Sequence, residues 1–168
     1  MALPLFLRTI EESSFSVWLR ESESPFVFYF VLLWHTFGLA LLVGASGFVD
    51  FCLIGFFPNI PLAPLKRFFR IMWVGFGISA VTGVLLLISY PTKALTNPVF
   101  YAKLTMIGFA VWILAKLQRE VFYGTTLTEA DMLARGARLA KWSLALWIGV
   151  ISAARLLAYT FRYILFPS

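Results

Sequence analysis

The sequence is poor in charge and in the residues that build most enzyme sites. It has one cysteine, Cys52, and one histidine, His35. A single cysteine excludes an intrachain disulfide and a cysteine metal cage, and these two residues are too few for the usual copper or zinc sites. The sequence also has no nucleotide-binding loop, no His-Glu-x-x-His motif and no clear hydrolase triad. These absences favour a protein without catalytic chemistry of its own.

Charged residues make up only 13% of the chain, against about 25% in an average soluble domain. Apolar stretches fill most of the remainder, and each approaches the ~20 residues that a helix needs to cross ~30 Å of hydrocarbon. They cover residues 26–49, 68–90, 99–117 and 142–166. The first could continue past Asp50 as far as Phe57, and a capped helix start at Thr125–Thr128 could open an amphipathic helix that runs without a break into the fourth. We therefore predict an all-α, integral membrane four-helix bundle that forms one domain over residues 1–168. Residues 1–24 mix apolar and charged side chains, which predicts an N-terminal amphipathic helix in the membrane interface.

The net charge of +6 has a simpler explanation than binding to nucleic acid. Eight basic residues lie in or beside the connectors after the first and third spans, against five on the opposite side. Cytoplasmic loops are enriched in lysine and arginine, and these residues also interact with lipid headgroups. The bias predicts periplasmic termini and cytoplasmic basic connectors in a bacterial inner membrane, with the lipid bilayer as the first partner.

Small residues recur at four-residue spacing within the spans. The clearest examples are Gly44 in the first span, Gly75, Ser79 and Gly83 in the second, and Gly149 in the fourth. Small side chains allow helix backbones to approach closely in lipid, where dispersion rather than the hydrophobic effect drives packing. We expect these faces to point into the bundle.

His35 is the first of three ionisable residues predicted inside the membrane, where such groups are default functional candidates. Its imidazole could hydrogen-bond a neighbouring helix, ligate haem iron, or bind a quinone or a proton. A membrane haem usually needs a second axial ligand. Met106, at a similar depth in the third span, or His35 of a second copy could provide it.

Arg155 lies deep in the fourth span, about eleven residues or ~16 Å from Phe166, near the predicted level of His35. The sequence places no acidic residue at that depth. An unpaired guanidinium there is unfavourable by several kcal/mol. Helix carbonyls and water, a lipid phosphate, a cofactor carboxylate or an acid on a partner protein could satisfy it.

Asp50 is predicted at the inner end of the first span, level with the basic start of the second. A structural ion pair with Arg70 is the favoured interpretation, and a proton-pathway carboxylate is the alternative. The chain also has 18 phenylalanines. They are expected to face lipid or, alternatively, another membrane subunit, a pigment or a quinone.

A set of landmarks between residues 15 and 118 is spread over three spans with consistent spacing. They are Trp18-Leu19, Glu21-Ser22, His35-Thr36, Gly44, Asp50, Leu53-Ile54-Gly55, Gly75-Phe76, Thr82-Gly83-Val84-Leu85-Leu86, Asn97, Phe100 and Lys103. In this order they resemble a family of small bacterial four-helix inner-membrane proteins of unknown function. The family often has a histidine before the Glu-Ser pair and another at the end of the third span. This chain has Arg20 and the stretch 116–118 instead, so a histidine-rich cofactor site of that family is expected to be degraded here.

Three functions remain open from the sequence. The favoured one is an accessory or structural subunit of a larger, energy-transducing membrane complex, with other membrane subunits or further copies of the chain as partners. The second is an electron-transfer protein that binds haem or quinone through His35, with Arg155 holding a cofactor carboxylate and Met106 as a further candidate ligand. A bound lipid is a further possible ligand of the chain. The third is a small transporter or proton channel that uses Asp50, His35 and Arg155.

Overall fold

The computed structural model describes residues 5–21, 26–123 and 128–165, and these residues are helical apart from short connectors. Seven α-helices follow one another in the described chain. They are α1 (Leu5–Glu11), α2 (Ser14–Glu21), α3 (Phe26–Ile54), α4 (Phe68–Ser89), α5 (Pro91–Leu95), α6 (Pro98–Leu117) and α7 (Glu129–Leu165). A 3-10 helix at Ala63–Arg67 precedes α4, and a π-helix at Gln118–Tyr123 follows α6.

Four of the described helices are long and apolar enough to cross a membrane, which confirms the predicted four-helix bundle. The first, α3, continues for 29 residues to Ile54, within the extension past Asp50 that the sequence allows. The last apolar span belongs to α7, which begins at Glu129 and runs for 37 residues without a break, as the amphipathic segment before residue 142 indicated. The start of α7 has a local cause. Thr128 caps the helix by accepting a hydrogen bond from the Asp131 amide, so the polar segment and the apolar span form one helix.

Helices α3 and α4 are antiparallel and meet at a glycine crossing. A Cβ built on Gly75 would lie 2.7 Å from the Gly38 carbonyl oxygen and 2.8 Å from the Leu42 nitrogen. Only residues without a side chain allow backbones this close. One turn away, Ser79 is buried and donates from its hydroxyl to the His35 carbonyl, at 3.2 Å.

Toward its connector-end half, α3 also packs against α7, which in turn packs against α6. Gly136 lies against Leu53, and Ser143 lies against Ser46, which makes α3 and α7 antiparallel. At Gly149 the sulfur of Met106 fills the space beside α7. The helices thus follow the order α4, α3, α7, α6 across the bundle.

A proline-containing connector joins α3 to α4 at what we call the connector end of the bundle, where α6 ends and α7 begins. Gly55 ends α3 with φ of +86°, and Gly55 and Phe56 donate their amides to the carbonyls of Cys52 and Phe51, which is a Schellman motif. The Leu62 amide then donates to the Glu129 carboxylate at 3.1 Å. This bond fixes the connector to the first turn of α7.

The N-terminal segment differs from the single interfacial helix predicted. It forms two helices that pack against α4 and α5 at the terminal end of the bundle, where α3 begins and α7 ends. Ser16 is fully buried and its hydroxyl donates to the Ile88 carbonyl at 2.9 Å. The Thr92 hydroxyl donates to the Glu11 carboxylate. These polar contacts attach the segment to protein rather than to lipid alone.

Candidate functional site

The imidazole of His35 is half-buried between α3 and α4. Its Nδ1 lies 3.0 Å from the Ser79 carbonyl oxygen and 3.0 Å from the Thr82 hydroxyl oxygen. A carbonyl oxygen only accepts, and the Thr82 hydroxyl already donates to the Ile78 carbonyl at 2.6 Å. In the neutral ring the proton therefore belongs on Nδ1, and both oxygens accept from it.

This hydrogen bonding leaves the Nε2 lone pair of His35 unused. No described residue hydrogen-bonds to Nε2, and the ring is not fully enclosed. Gly83 provides space for the ring, because a Cβ there would lie 3.2 Å from the His35 Cε1. The hydrogen bonds of Nδ1 orient the imidazole, and Nε2 on the other side of the ring is left as a hydrogen-bond acceptor or metal ligand.

Met106 is engaged elsewhere in the bundle. A Cβ built on Gly149 would lie 2.8 Å from the Met106 sulfur, which places the thioether in the contact between α6 and α7. The imidazole of His35 instead bonds to α4. The structure thus uses the two candidate axial ligands in two different helix contacts.

Arg155 lies on the exposed face of α7. Ser143 is opposite Ser46, Arg155 is twelve residues beyond Ser143, and His35 is eleven residues before Ser46. At 1.5 Å per residue these separations are ~18 Å and ~17 Å along antiparallel helices, so Arg155 and His35 lie at about the same level. No hydrogen bond or salt bridge joins Arg155 to another residue in the described part of the chain.

A buried polar network surrounds Asp50, which is 1% exposed. The Trp147 indole donates to the Ser46 hydroxyl oxygen at 3.2 Å, and the Ser46 hydroxyl donates to Asp50 Oδ2 at 3.3 Å. The Ser143 hydroxyl lies 3.4 Å from that of Ser46. Within the described residues Asp50 Oδ1 has no hydrogen-bond partner. The network joins α3 to α7.

The predicted ion pair between Asp50 and Arg70 is wrong. Asp50 points into the contact between α3 and α7, whereas Arg70 is exposed at the start of α4. The two residues are at the same end of the bundle but on different sides of α3. The level of Asp50 along α3 matches the prediction, whereas its rotational position on the helix decides its partner.

The predicted packing residues occupy different environments. Gly75 lies at the α3–α4 crossing, Ser79 bonds across it, and Gly149 adjoins Met106. Gly44 is exposed, and a Cβ built there would meet nothing within 4 Å, so its assignment to a packing face is corrected. The residue that crosses Gly75 is Gly38, which the four-residue pattern did not single out.

The described residues contain no group of three or more histidine, cysteine, aspartate or glutamate side chains that could hold a metal ion. Comparison with family models, with curated proteins and with solved structures finds no match to this chain. The family resemblance of residues 15–118 stays a prediction.

Proposed function

We propose that this chain is a non-catalytic subunit of a larger membrane complex, which it joins through the face of α7 that carries Arg155. The observation that supports the proposal is the exposed guanidinium at the level of His35, without a partner among the described residues. An arginine at the centre of a membrane helix is unfavourable by about 2.5–3.5 kcal/mol on insertion scales. A carboxylate on a neighbouring helix would offset this cost.

The surface around Arg155 suits a partner helix better than lipid alone. Ile148, Ser152, Arg155 and Tyr159 are spaced by three or four residues, so they lie along one side of α7, and all are exposed. The stripe combines a small polar residue, a cation and an aromatic ring. Polar side chains that hydrogen-bond across helices contribute about 0.6 kcal/mol each on average in membrane proteins.

A second copy of this chain does not provide the required acid. Four of the eight acidic residues belong to the first 24 residues, three lie between residues 120 and 131, and the eighth, Asp50, is buried near the connector end of α3. Two copies in the same orientation would bring Arg155 against Arg155. The proposal therefore favours a different protein over a second copy as the partner. The expected setting is an energy-transducing complex of a bacterial inner membrane.

The test is purification from native membranes in mild detergent, followed by mass spectrometry of the intact particle. A photo-crosslinking residue at Ser152 should capture a reproducible partner, whereas one at Val81, exposed on α4, should not. Arg155→Leu should release that partner, and Arg70→Leu, which removes an exposed arginine at the connector end, should retain it. A lone particle or homo-oligomer from native membranes, with no cross-link at Ser152, would refute the subunit proposal.

The free Nε2 of His35 supports a second candidate, a protein that binds a redox cofactor. Because Nδ1 carries the proton, Nε2 can accept from a quinol hydroxyl or ligate haem iron, but it cannot donate to a quinone carbonyl in the neutral ring. The absorbance spectrum of the same particle tests this. A haem band or bound quinol that is lost in His35→Ala and kept in Thr36→Ala, a change on the neighbouring exposed residue, would support it.

A further inference from the structure

An open cavity of about 1050 Å³ lies at the connector end, between the end of α6 and the start of α7. Four basic side chains and one acidic side chain line it: Lys116, Arg119, Arg135, Arg138 and Glu120. The cavity is thus strongly positive. It is separate from His35, Asp50 and Arg155, and the proposed function does not use it.

Most of the positive charge in the cavity is available to a ligand. Lys116 lies 4.0 Å from Glu120 in a partly exposed pair. Arg119, Arg135 and Arg138 form no salt bridge with an acidic residue in the described part of the chain, although Arg135 interacts electrostatically with Asp131 one turn before it. Arginine binds phosphate oxygens through two parallel hydrogen bonds, so three such side chains around one opening suit a phosphate group.

An apolar groove of about 350 Å³ begins nearby on the outer face of α6, lined by Thr105, Gly108, Phe109 and Trp112. A smaller concavity shares Trp112 with this groove and shares Lys116 with the cavity, so it joins the two. From Lys116 to Gly108 the distance along α6 is ~12 Å. This is most of one ~15 Å leaflet of hydrocarbon.

Lys116 and Trp112, where the cavity and the groove meet, form a pair typical of a membrane surface. The Lys116 ammonium lies over the Trp112 ring, 5.1 Å from its centroid. Tryptophan and lysine are enriched where hydrocarbon meets headgroups. Two turns before Lys116 on α6, Gly108 lacks a side chain and leaves the groove open, since a Cβ there would meet nothing within 4 Å.

We propose that this surface binds one anionic phospholipid, with its phosphate headgroup in the basic cavity and an acyl chain in the groove along α6. The positive charge alone would also suit a soluble phosphate ester. The apolar groove that continues from the cavity favours the lipid. The site is distinct from the Arg155 face, so its test does not depend on the subunit proposal.

The first test uses the full chain in mild detergent and native mass spectrometry with added lipids of matched acyl chains. Phosphatidylglycerol should bind, and phosphatidylcholine should bind more weakly. The double variant Arg135→Gln/Arg138→Gln should weaken phosphatidylglycerol binding about 30-fold, because each basic residue contributes about 1 kcal/mol near an anionic lipid and 1.4 kcal/mol is tenfold. The matched control, Arg67→Gln/Arg70→Gln, removes two exposed charges at the same end and should retain binding.

A second pair of variants tests the acyl chain. Gly108→Leu fills the groove without a clash, and Gly77→Leu is its control, because a Cβ at Gly77 also meets nothing within 4 Å. Only Gly108→Leu should weaken lipid binding, and the two variants should change thermal stability in lipid-free detergent by the same amount, since each replaces an exposed helical glycine. These glycine variants keep the proposal testable if the arginine variant fails to fold.

Three results would overturn the proposal. Equal losses in both arginine double variants would mean that binding reflects general surface charge. Equal effects of Gly108→Leu and Gly77→Leu would remove the acyl chain from the site. Inorganic phosphate or glycerol phosphate that stabilises the protein as strongly as phosphatidylglycerol at equal concentration would identify a soluble anion as the ligand.

Discussion

Replacing Gly75 with alanine perturbs the closest helix contact in the bundle by a single methyl group. The added carbon would lie 2.7 Å from the Gly38 carbonyl oxygen and 2.8 Å from the Leu42 nitrogen. Both are backbone atoms, so neither can rotate away. Restoring an ordinary carbon–oxygen separation of about 3.4 Å requires the two helices to separate by roughly 0.7 Å at the crossing, since overpacked sites respond by shifting backbone.

The expected cost follows from this displacement. Extra methyl groups in a well-packed core typically destabilise by about 1–3 kcal/mol. Separation at Gly75 also lengthens the 3.2 Å hydrogen bond from Ser79 to the His35 carbonyl, one turn away. We expect Gly75→Ala to lower the free energy of unfolding by about 2–3 kcal/mol, toward the upper end of that range.

Gly77 provides the control on the same helix, two residues away. It is exposed, and a Cβ there would meet nothing within 4 Å. Gly77→Ala should be neutral or stabilising by about 0.5–1 kcal/mol, because alanine is the better helix former. Gly149→Ala should fall between the two, since the atom that a Cβ would approach is the sulfur of the flexible Met106 side chain.

The measurement is reversible unfolding of the full chain in mixed micelles, followed by circular dichroism as denaturing detergent is added. The difference between Gly75→Ala and Gly77→Ala is the decisive quantity. If the two variants unfold at the same detergent fraction, the α3–α4 crossing is not as close as described, and the packing explanation for Gly75 fails.

Three further substitutions test other contacts. Arg70→Gln should change the free energy of unfolding by less than about 0.5 kcal/mol, because Arg70 is exposed and does not pair with Asp50; a loss above 2 kcal/mol would argue for the ion pair after all. Gly55→Ala should destabilise by about 1–2 kcal/mol, because φ is +86° there, and an unchanged thermal midpoint would contradict the Schellman ending of α3. Thr128→Ala removes the cap bonded to the Asp131 amide and should cost about 1 kcal/mol, visible as faster amide exchange in the first turn of α7; unchanged exchange would count against the cap.

The sequence was sufficient for the number of spans because length and apolar composition alone decide it. It also indicated where α7 begins. Hydropathy places the edge of the apolar span at residue 142, but the segment from Glu129 to Lys141 is amphipathic and follows a capping pattern, which predicts one continuous helix. A helix is not obliged to end where it leaves hydrocarbon, and the Thr128 cap lies thirteen residues before Lys141.

Rotational position within α3 was harder to predict. The helix is apolar on every side, so no polar face indicates which side is solvent or lipid. Gly38 and Gly44 are six residues apart, and this separation places them on different sides of a helix with 3.6 residues per turn. Gly38 is identified as the packing glycine only by its contact with α4, and that contact depends on the arrangement of the whole bundle.

The same limitation applied to Asp50. Its level near the end of α3 was predicted correctly, and the nearby cations of the connector made an ion pair the natural expectation. In the structure Asp50 faces Ser46 and Ser143 instead. Ser46 lies about a hundred residues before Ser143 and Trp147 in the chain, so no local pattern signals that the three share a network.

The unbroken course of α7 has a mechanical consequence. The 37-residue helix is ~55 Å long, well beyond the ~30 Å hydrocarbon core. It carries Arg138 of the basic cavity and Arg155 of the outward face on one stiff rod, ~25 Å apart along its axis. A 10° change in tilt about one of these points would displace the other by ~4 Å, and helix tilt responds to bilayer thickness. The two surfaces therefore cannot be repositioned independently, and a thicker or thinner bilayer acts on both at once.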